Sequence, residues 1–177
     1  QNLVGSLLMK NKPVRACVRS RYNKYIESPL LELFIVKDLE QIASWEKSLQ
    51  DIEVVIHTAA RVHIMEDKEA NPLAEFRKVN TEGTLNLARQ AAEHGIRRFI
   101  FISSIKVNGE MTTIGEPFKP TDNTIPTDPY GLSKYEAEQG LLSIADETGM
   151  EVVIIRPPLI YGPGVKGNFS SIIRVVK

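Results

Sequence analysis

Short apolar runs alternate with longer amphipathic stretches along the chain. Five runs rich in Val, Ile, Leu and Phe predict β-strands: Val14–Val18, Leu30–Val36, Ile52–Thr58, Arg98–Ser103 and Glu151–Arg156. The apolar cores of the last three are continuous rather than alternating, which is typical of strands covered on both faces in a parallel sheet. Helical patterns lie between the strands, so the order predicts an α/β fold.

Two amphipathic helices are marked by the residues at their ends. One is predicted from Asn71 to about His94 and the other from Asp128 to about Thr148. Each begins with an Asn or Asp N-cap followed by proline, and each ends before a glycine. Asn80 is a polar residue on the apolar stripe of the first helix, so it must find hydrogen-bond partners. We expect it to fix the backbone of the strand Arg98–Ser103.

The start of the chain departs from the usual order of a doubly wound domain. Asn2–Lys10 predicts a helix, whereas such a domain opens with a strand and a glycine-rich turn before its first helix. We therefore expect a Rossmann-like parallel sheet that lacks its first strand, with a gap or a rearranged edge at that place. Residues 1–177 would form a partial dinucleotide-binding domain, with most of a C-terminal substrate-binding part also absent. Gly109–Thr127 predicts a long loop, a type of segment that is often functional.

Composition narrows the class of protein. The 177 residues carry 22 basic and 22 acidic side chains, so no global charge favours nucleic acid or an anionic membrane as a partner. Cys17 is the single cysteine, and His57, His63 and His94 lack metal-ligand spacing. We interpret Cys17 as a buried residue of its strand. No apolar run reaches the roughly 20 residues of a membrane span and no signal peptide is evident, so we expect a cytoplasmic protein.

The first candidate for chemistry is Tyr130 with Lys134 on the same helical face. A tyrosine has a pKa near 10, and a neighbouring ammonium lowers it towards the range of a useful acid or base. Such a pair can exchange a proton with an alcohol or sugar oxygen. This spacing alone is more often found on an ordinary surface helix, but here both residues lie on the inward stripe.

Two strand ends add further candidates. Ser103 and Ser104 follow a buried strand, and Ala59 and Ala60 follow another. Ligands of open α/β sheets bind at these carboxyl ends. A serine hydroxyl there can hold a substrate oxygen, and small residues let a flat ligand approach the backbone. Taken singly, each pattern also fits simple strand closure or tight packing.

Together these stretches resemble the extended short-chain dehydrogenase/reductases of the NAD-dependent epimerase/dehydratase family, with nucleotide-sugar 4-epimerases and 4-ketoreductases the most similar. The resemblance extends over nearly the whole chain in family order. It rests on Asp38-Leu39, Val54–Ala60, Val79–Thr84, Phe99–Ser104, Pro129–Lys134 and Arg156–Gly164.

The resemblance implies a role for each matching residue. Tyr130 corresponds to the acid/base, Lys134 to the residue that lowers its pKa and binds the nicotinamide ribose, and Ser104 to the hydroxyl on the sugar C4 oxygen. Asn168 corresponds to a contact with the substrate diphosphate. The remaining cofactor-binding residues implied are Asp38, Leu39, Ala59, Ala60, Arg61, Asn80 and Pro157.

The resemblance implies a nicotinamide cofactor, and the sequence leaves NAD and NADP open. Arg19 and Arg21 follow the first strand, where arginine accommodates the 2′-phosphate of NADP, although two solvated arginines are an equal alternative. The leading expectation is a UDP-sugar 4-epimerase. A NADPH-dependent UDP-4-keto-sugar reductase and a catalytically inactive nucleotide-binding fragment are the alternatives. A dehydratase is disfavoured because Ile105-Lys106, rather than acidic residues, follow Ser104. Family members often form homodimers through the two marked helices, so a homodimer is expected.

Overall fold

The computed structural model describes residues 2–20, 27–39, 44–62, 71–122 and 124–160. Its five strands are β1 Val14–Val18, β2 Leu31–Ile35, β3 Val54–His57, β4 Arg98–Ile102 and β5 Glu151–Ile155. Its α-helices are α1 Asn2–Met9, α2 Glu46–Leu49, α3 Pro72–Phe76, α4 Thr84–Glu93 and α5 Pro129–Thr148. No helix within these ranges is long and apolar enough to cross a membrane. The predicted strands and helices are confirmed, since every strand boundary falls within two residues of its predicted position.

All the strands pair in parallel, which confirms the predicted fold class. β1 pairs with β2, while β4 lies between β3 and β5 in a second sheet. Within the described strands, β1 and β3 share no pairing, so the two sheets have a gap between them. This is the arrangement expected when a strand is missing from between β1 and β3, because the doubly wound strand order places the first strand there.

The helix ends form as the capping residues predict. The Asn71 side chain accepts a hydrogen bond from the Ala74 amide at 3.2 Å, and the Asp128 side chain accepts one from the Gly131 amide at 3.0 Å. α5 ends at Gly149, whose φ of +75° is left-handed and favours glycine. One feature was not predicted: between α3 and α4 the helix continues with π-type hydrogen bonds over Arg77–Gly83.

The core lies between the β3–β4–β5 sheet and the helices α4 and α5. Phe99 and Phe101 of β4 are fully buried against apolar residues of α5 such as Leu141. His57 is also buried, stacks on Phe101, and has its Nε2 atom 3.0 Å from the Thr84 hydroxyl. Burial, with the nearby Lys134 charge, lowers the pKa of His57 to about 3, so the ring is a neutral core group.

The interpretation of Cys17 as a buried residue is wrong. Its side chain is exposed on β1. β1 pairs with β2 on one side and with no described strand on the other, so its outer part lacks the cover that a wider sheet would give.

Candidate active site

The carboxyl ends of β3, β4 and β5 meet the first turns of α5, and most of the predicted catalytic residues lie at this edge. Ser104 follows β4 and caps a single 3₁₀ turn, Ile105–Val107, by accepting a hydrogen bond from the Lys106 amide at 3.3 Å. Tyr130 lies in the first turn of α5. The Ser104 hydroxyl lies near enough to the Tyr130 phenol to lower its pKa, although the two residues are 26 apart in sequence. The structure therefore brings together the proposed proton donor and the proposed oxygen-binding hydroxyl.

Tyr130 is held as a neutral phenol in this arrangement. Burial raises its pKa, the nearby Ser104 hydroxyl lowers it, and the Asp128 carboxylate raises it. The net result is a pKa above the ordinary value of 10.0. The predicted lowering of the Tyr130 pKa by Lys134 is therefore not what the structure shows.

The position of the Lys134 ammonium explains this difference. Lys134 is 1% exposed, and its Nζ atom lies 4.0 Å from the centroid of the Phe101 ring. That is a cation–π contact, in which the ammonium is directed to the core rather than to the Tyr130 hydroxyl. Burial lowers the pKa of Lys134 to about 8, while the charge of Glu138 partly opposes this by raising it.

Asn80 has a different structural role from the one expected. Its Oδ1 atom accepts from the Arg61 amide at 2.8 Å, and its Nδ2 atom donates to the Arg61 carbonyl at 3.0 Å and to the Ser133 hydroxyl at 3.0 Å. The expected bond to the β4 backbone is wrong, because the π segment directs Asn80 to the loop after β3. The Asn80 side chain is 0% exposed, so its observed role is to hold this loop.

The loop after β3 lies against the first turn of α5 through an intervening ring. The Arg61 guanidinium lies 5.7 Å from the centroid of the Phe76 ring, and Phe76 meets the Tyr130 ring edge to face at 5.9 Å. In the same loop Ala59 is exposed and Ala60 is half-buried. Three of the predicted cofactor contacts, Ala59, Ala60 and Arg61, therefore share one edge of the sheet with Tyr130.

The other predicted cofactor contacts lie at two places. Arg19 follows β1, and its guanidinium is 3.6 Å from the Asp38 carboxylate. Leu39 packs on the π segment, so closely that a Cβ atom on Gly83 would lie 2.9 Å from its Cδ2 atom. Pro157 follows β5, and its carbonyl accepts from the Ile105 amide at 3.1 Å.

Two predicted residues, Arg21 and Asn168, lie outside the described ranges. Within those ranges, no group of three or more His, Cys, Asp or Glu side chains could hold a metal ion.

Sequence reasoning missed a buried ion pair behind this site. Glu138 is 1% exposed and binds Arg156 through a short contact of 2.6 Å between Oε2 and Nη2. The Ser103 hydroxyl donates to the same carboxylate. Glu138 lies one turn after Lys134 on the inward stripe of α5, and that stripe position is the signal that could have identified it.

Comparison with known proteins identifies the family to which the chain is similar. Residues 1–176 match the model of the NAD dependent epimerase/dehydratase family. UDP-glucose 4-epimerase of Vibrio cholerae is 54% identical over 176 residues, which are 99% of this chain and 52% of that protein. dTDP-D-glucose 4,6-dehydratase of Mus musculus is 31% identical over 79% of this chain and 36% of its own length.

Solved structures agree in fold. UDP-glucose 4-epimerase of Thermotoga maritima, solved with UDP-glucose, superposes with a TM-score of 0.77 at 26% identity, covering 92% of this chain and 52% of that one. UDP-glucuronic acid 4-epimerase of Bacillus cereus, in complex with NAD, gives a TM-score of 0.68 at 25% identity, covering 78% of this chain and 42% of that one. The chain thus spans about half the length, or less, of these relatives.

Proposed function

This chain belongs to the NAD-dependent epimerase/dehydratase family, and from that membership we propose that the protein is a UDP-sugar 4-epimerase. The observation that carries the proposal is that the Ser104 hydroxyl and the Tyr130 phenol face each other at the carboxyl end of β4, where Ser104 acts on the pKa of the phenol. This arrangement places a hydroxyl that can orient a sugar oxygen beside a phenol that can exchange its proton. The similarity to a UDP-glucose 4-epimerase at 54% identity favours this reaction over others in the family.

In the proposed reaction Tyr130 and Ser104 act on the C4 oxygen of the sugar. Ser104 holds the oxygen by hydrogen bonding, and the Tyr130 oxygen takes its proton as C4 is oxidised. The same phenol returns the proton when the ketone is reduced on its other face. Removing the proton requires a lower pKa of Tyr130 than the raised one of this structure. The Lys134 ammonium, one helical turn away, supplies that lowering if it leaves the Phe101 ring and approaches the phenol.

The residues at the sheet edge fit a nicotinamide cofactor. The small side chains of Ala59 and Ala60 leave the backbone after β3 open to a flat ligand, and Asn80 holds that backbone in place through Arg61. The proposed ribose contacts are Tyr130 and Lys134, with Pro157 beside the nicotinamide and Asp38 and Leu39 beside the adenine. When bound, such a cofactor would supply the oxidation and reduction at C4.

NAD is the cofactor we favour over NADP. The Arg19 guanidinium, which could bind a 2′-phosphate, lies 3.6 Å from the Asp38 carboxylate, whose negative charge opposes a phosphate there. A protein that instead binds NADPH tightly and consumes it with a 4-keto UDP-sugar would be the ketoreductase alternative. The solved relative from Bacillus cereus contains NAD, which supports the first choice.

We also propose that the protein forms a homodimer and that it is cytoplasmic. α4 and α5 pack side by side, and the outer face of α5 carries Leu142, whose side chain is 46% exposed. A second copy covering this face would bury that residue. The lone, unpaired Cys17 fits a reducing compartment. Sedimentation of wild type and Leu142→Glu tests the dimer, since only wild type should show the mass of two chains.

The Tyr130→Phe substitution tests the function directly. We expect loss of at least ~100-fold in UDP-glucose to UDP-galactose interconversion, with nucleotide affinity nearly unchanged, because the substitution keeps the ring and removes one hydroxyl among several proposed nucleotide contacts. Tyr135→Phe, on the same helix and half-buried, is the matched control and should retain activity. Turnover that survives in Tyr130→Phe overturns the assignment. If wild type binds nucleotide without turnover, the protein is an inactive nucleotide-binding member.

A further inference from the structure

The buried carboxylate of Glu138 contacts or adjoins three separate segments of the candidate site. It accepts a hydrogen bond from Ser103, the residue before Ser104. It lies one helical turn after Lys134 on α5. It also forms a forked ion pair with Arg156, the residue before Pro157, with contacts of 2.6, 3.0 and 3.2 Å.

Arg156 extends this connection to the long loop that follows β4. Its Nη1 atom donates to the Asn108 side chain at 3.2 Å and to the carbonyls of Pro120 and Asp122 at 3.4 and 3.3 Å. Asn108 in turn donates to the Lys119 carbonyl at 2.7 Å. The guanidinium therefore joins both ends of this loop segment to β5.

We propose that Glu138, with Arg156 as its partner, is a positioning residue that fixes Ser104, Lys134 and Pro157 relative to one another. Each of these three residues is adjacent in sequence to a partner of Glu138 or lies on its own helix, and Glu138 reaches them from behind the site. Its 1% exposure keeps it away from substrate. The reacting groups must be held within a fraction of an ångström, so a buried carboxylate bound by two segments and carried by a third is suited to this task.

A different purpose, simple stabilisation, explains the pair less well. Replacing a buried ion pair by apolar residues is often neutral for stability or even stabilising, so stability alone gives little reason to keep it. The described part of the molecule also contains an ion pair that can serve as a comparison. Arg98 and Glu151 join the other end of β4 and β5, but their side chains are 38% and 51% exposed and lie away from the site.

The test compares four forms of the natural protein: wild type, Glu138→Gln, Arg156→Met/Glu138→Gln, and the control pair Arg98→Gln/Glu151→Gln. This proposal rests on the proposed epimerase function, so it is measured by turnover and by a second method that needs no activity. We expect Glu138→Gln to lower kcat by about 10- to 100-fold, while KM for the UDP-sugar changes less than about threefold. The control pair should keep the kcat of wild type.

Hydrogen exchange of the segment 103–108 gives the second reading. The amides of Ser103 and Ile105 are bonded to the carbonyls of Ile155 and Pro157 at 2.8 and 3.1 Å, so they report on the contact between this segment and the end of β5. Glu138→Gln should speed exchange of these amides, and the control pair should leave them unchanged. Because some Glu138→Gln protein unfolds if Arg156 is left without its carboxylate, Arg156→Met/Glu138→Gln, which removes both charges of the ion pair, is measured with it and should show the same kcat loss.

The outcomes separate the two ideas. A kcat per folded molecule equal to wild type in both Glu138 variants, with unchanged exchange, overturns the positioning role even if the protein is an epimerase. If wild type lacks epimerase activity, the proposed function fails, and the exchange data alone then decide whether Glu138 holds these segments together.

Discussion

The Lys134 ammonium is buried in the core, and this burial lowers the free energy of unfolding at neutral pH. Its pKa of about 8 lies below the 10.5 of an exposed lysine. Between these two pH values the unfolded chain binds more protons than the folded one, so stability rises with pH through this window. A buried lysine that destabilises its own fold is a mark of a functional site.

The substitution Lys134→Met tests this at the scale of one residue. At pH 7 the variant should be more stable than wild type by about 2–3 kcal/mol, because it no longer buries a charge. It should also lose the increase in stability between pH 8 and 10.5, and it should lose turnover. Denaturant unfolding at pH 7, 8 and 10 measures the difference, and parallel curves for the two proteins would contradict the pKa.

Some residue roles could be predicted from the sequence and others could not. The spacing of Tyr130 and Lys134 and the place of Ser104 were predictable, because strand ends and helix faces are local patterns. The direction of the Lys134 ammonium was not, because it depends on Phe101 and on Glu138 in three dimensions. Arg156 was missed as a partner for the same reason, since a charged residue after a strand ordinarily predicts exposure.

At the scale of elements, the π segment determines how the loop after β3 is held. It places Asn80 against the Arg61 backbone and Gly83 against Leu39. Apolar spacing predicted a helix through this region. It could not predict the π hydrogen bonds, because the apolar spacing before and after this segment is that of an ordinary α-helix. Packing decides where the hydrogen bonds change to the π type.

Asn80→Ala tests this element. The substitution leaves the Arg61 amide and carbonyl without their side-chain partner, and we expect unfolding free energy to fall by about 3 kcal/mol and nucleotide affinity to weaken. Ser143→Ala, on the exposed face of α5, removes the bond that its hydroxyl donates to Glu147 at 2.7 Å and should cost no more than about 0.5 kcal/mol. Equal losses in the two variants would show that Asn80 does not hold the loop.

At the scale of the whole molecule, the main feature is that β1 and β3 each have an edge that pairs with no strand among the described residues. A parallel strand between them would join the two sheets in the order β2, β1, added strand, β3, β4, β5. A glycine-rich turn after that strand would cradle the cofactor pyrophosphate. The order of the elements alone predicted this gap, because α1 corresponds to the helix that follows the first strand of a doubly wound domain.

An engineered chain tests the gap. Residues 1–177 produced with a hydrophobic strand and a Gly-x-x-Gly-x-x-Gly turn before Asn2 should have a higher melting temperature and tighter NAD binding than residues 1–177 by themselves. The same fusion with its three glycines changed to alanine should keep the gain in stability and lose the binding. If neither fusion stabilises the chain, no strand fits between β1 and β3.

Proton exchange by Tyr130 at C4 of a UDP-sugar can be tested in one assay. The natural protein is incubated with UDP-glucose without added cofactor, and UDP-galactose is measured by chromatography for wild type, Tyr130→Phe and Tyr135→Phe. We expect wild type and Tyr135→Phe to interconvert UDP-glucose and UDP-galactose, and Tyr130→Phe to lose this activity. No interconversion by wild type, together with consumption of NADPH when a 4-keto UDP-sugar is supplied, would contradict the epimerase and identify a reductase.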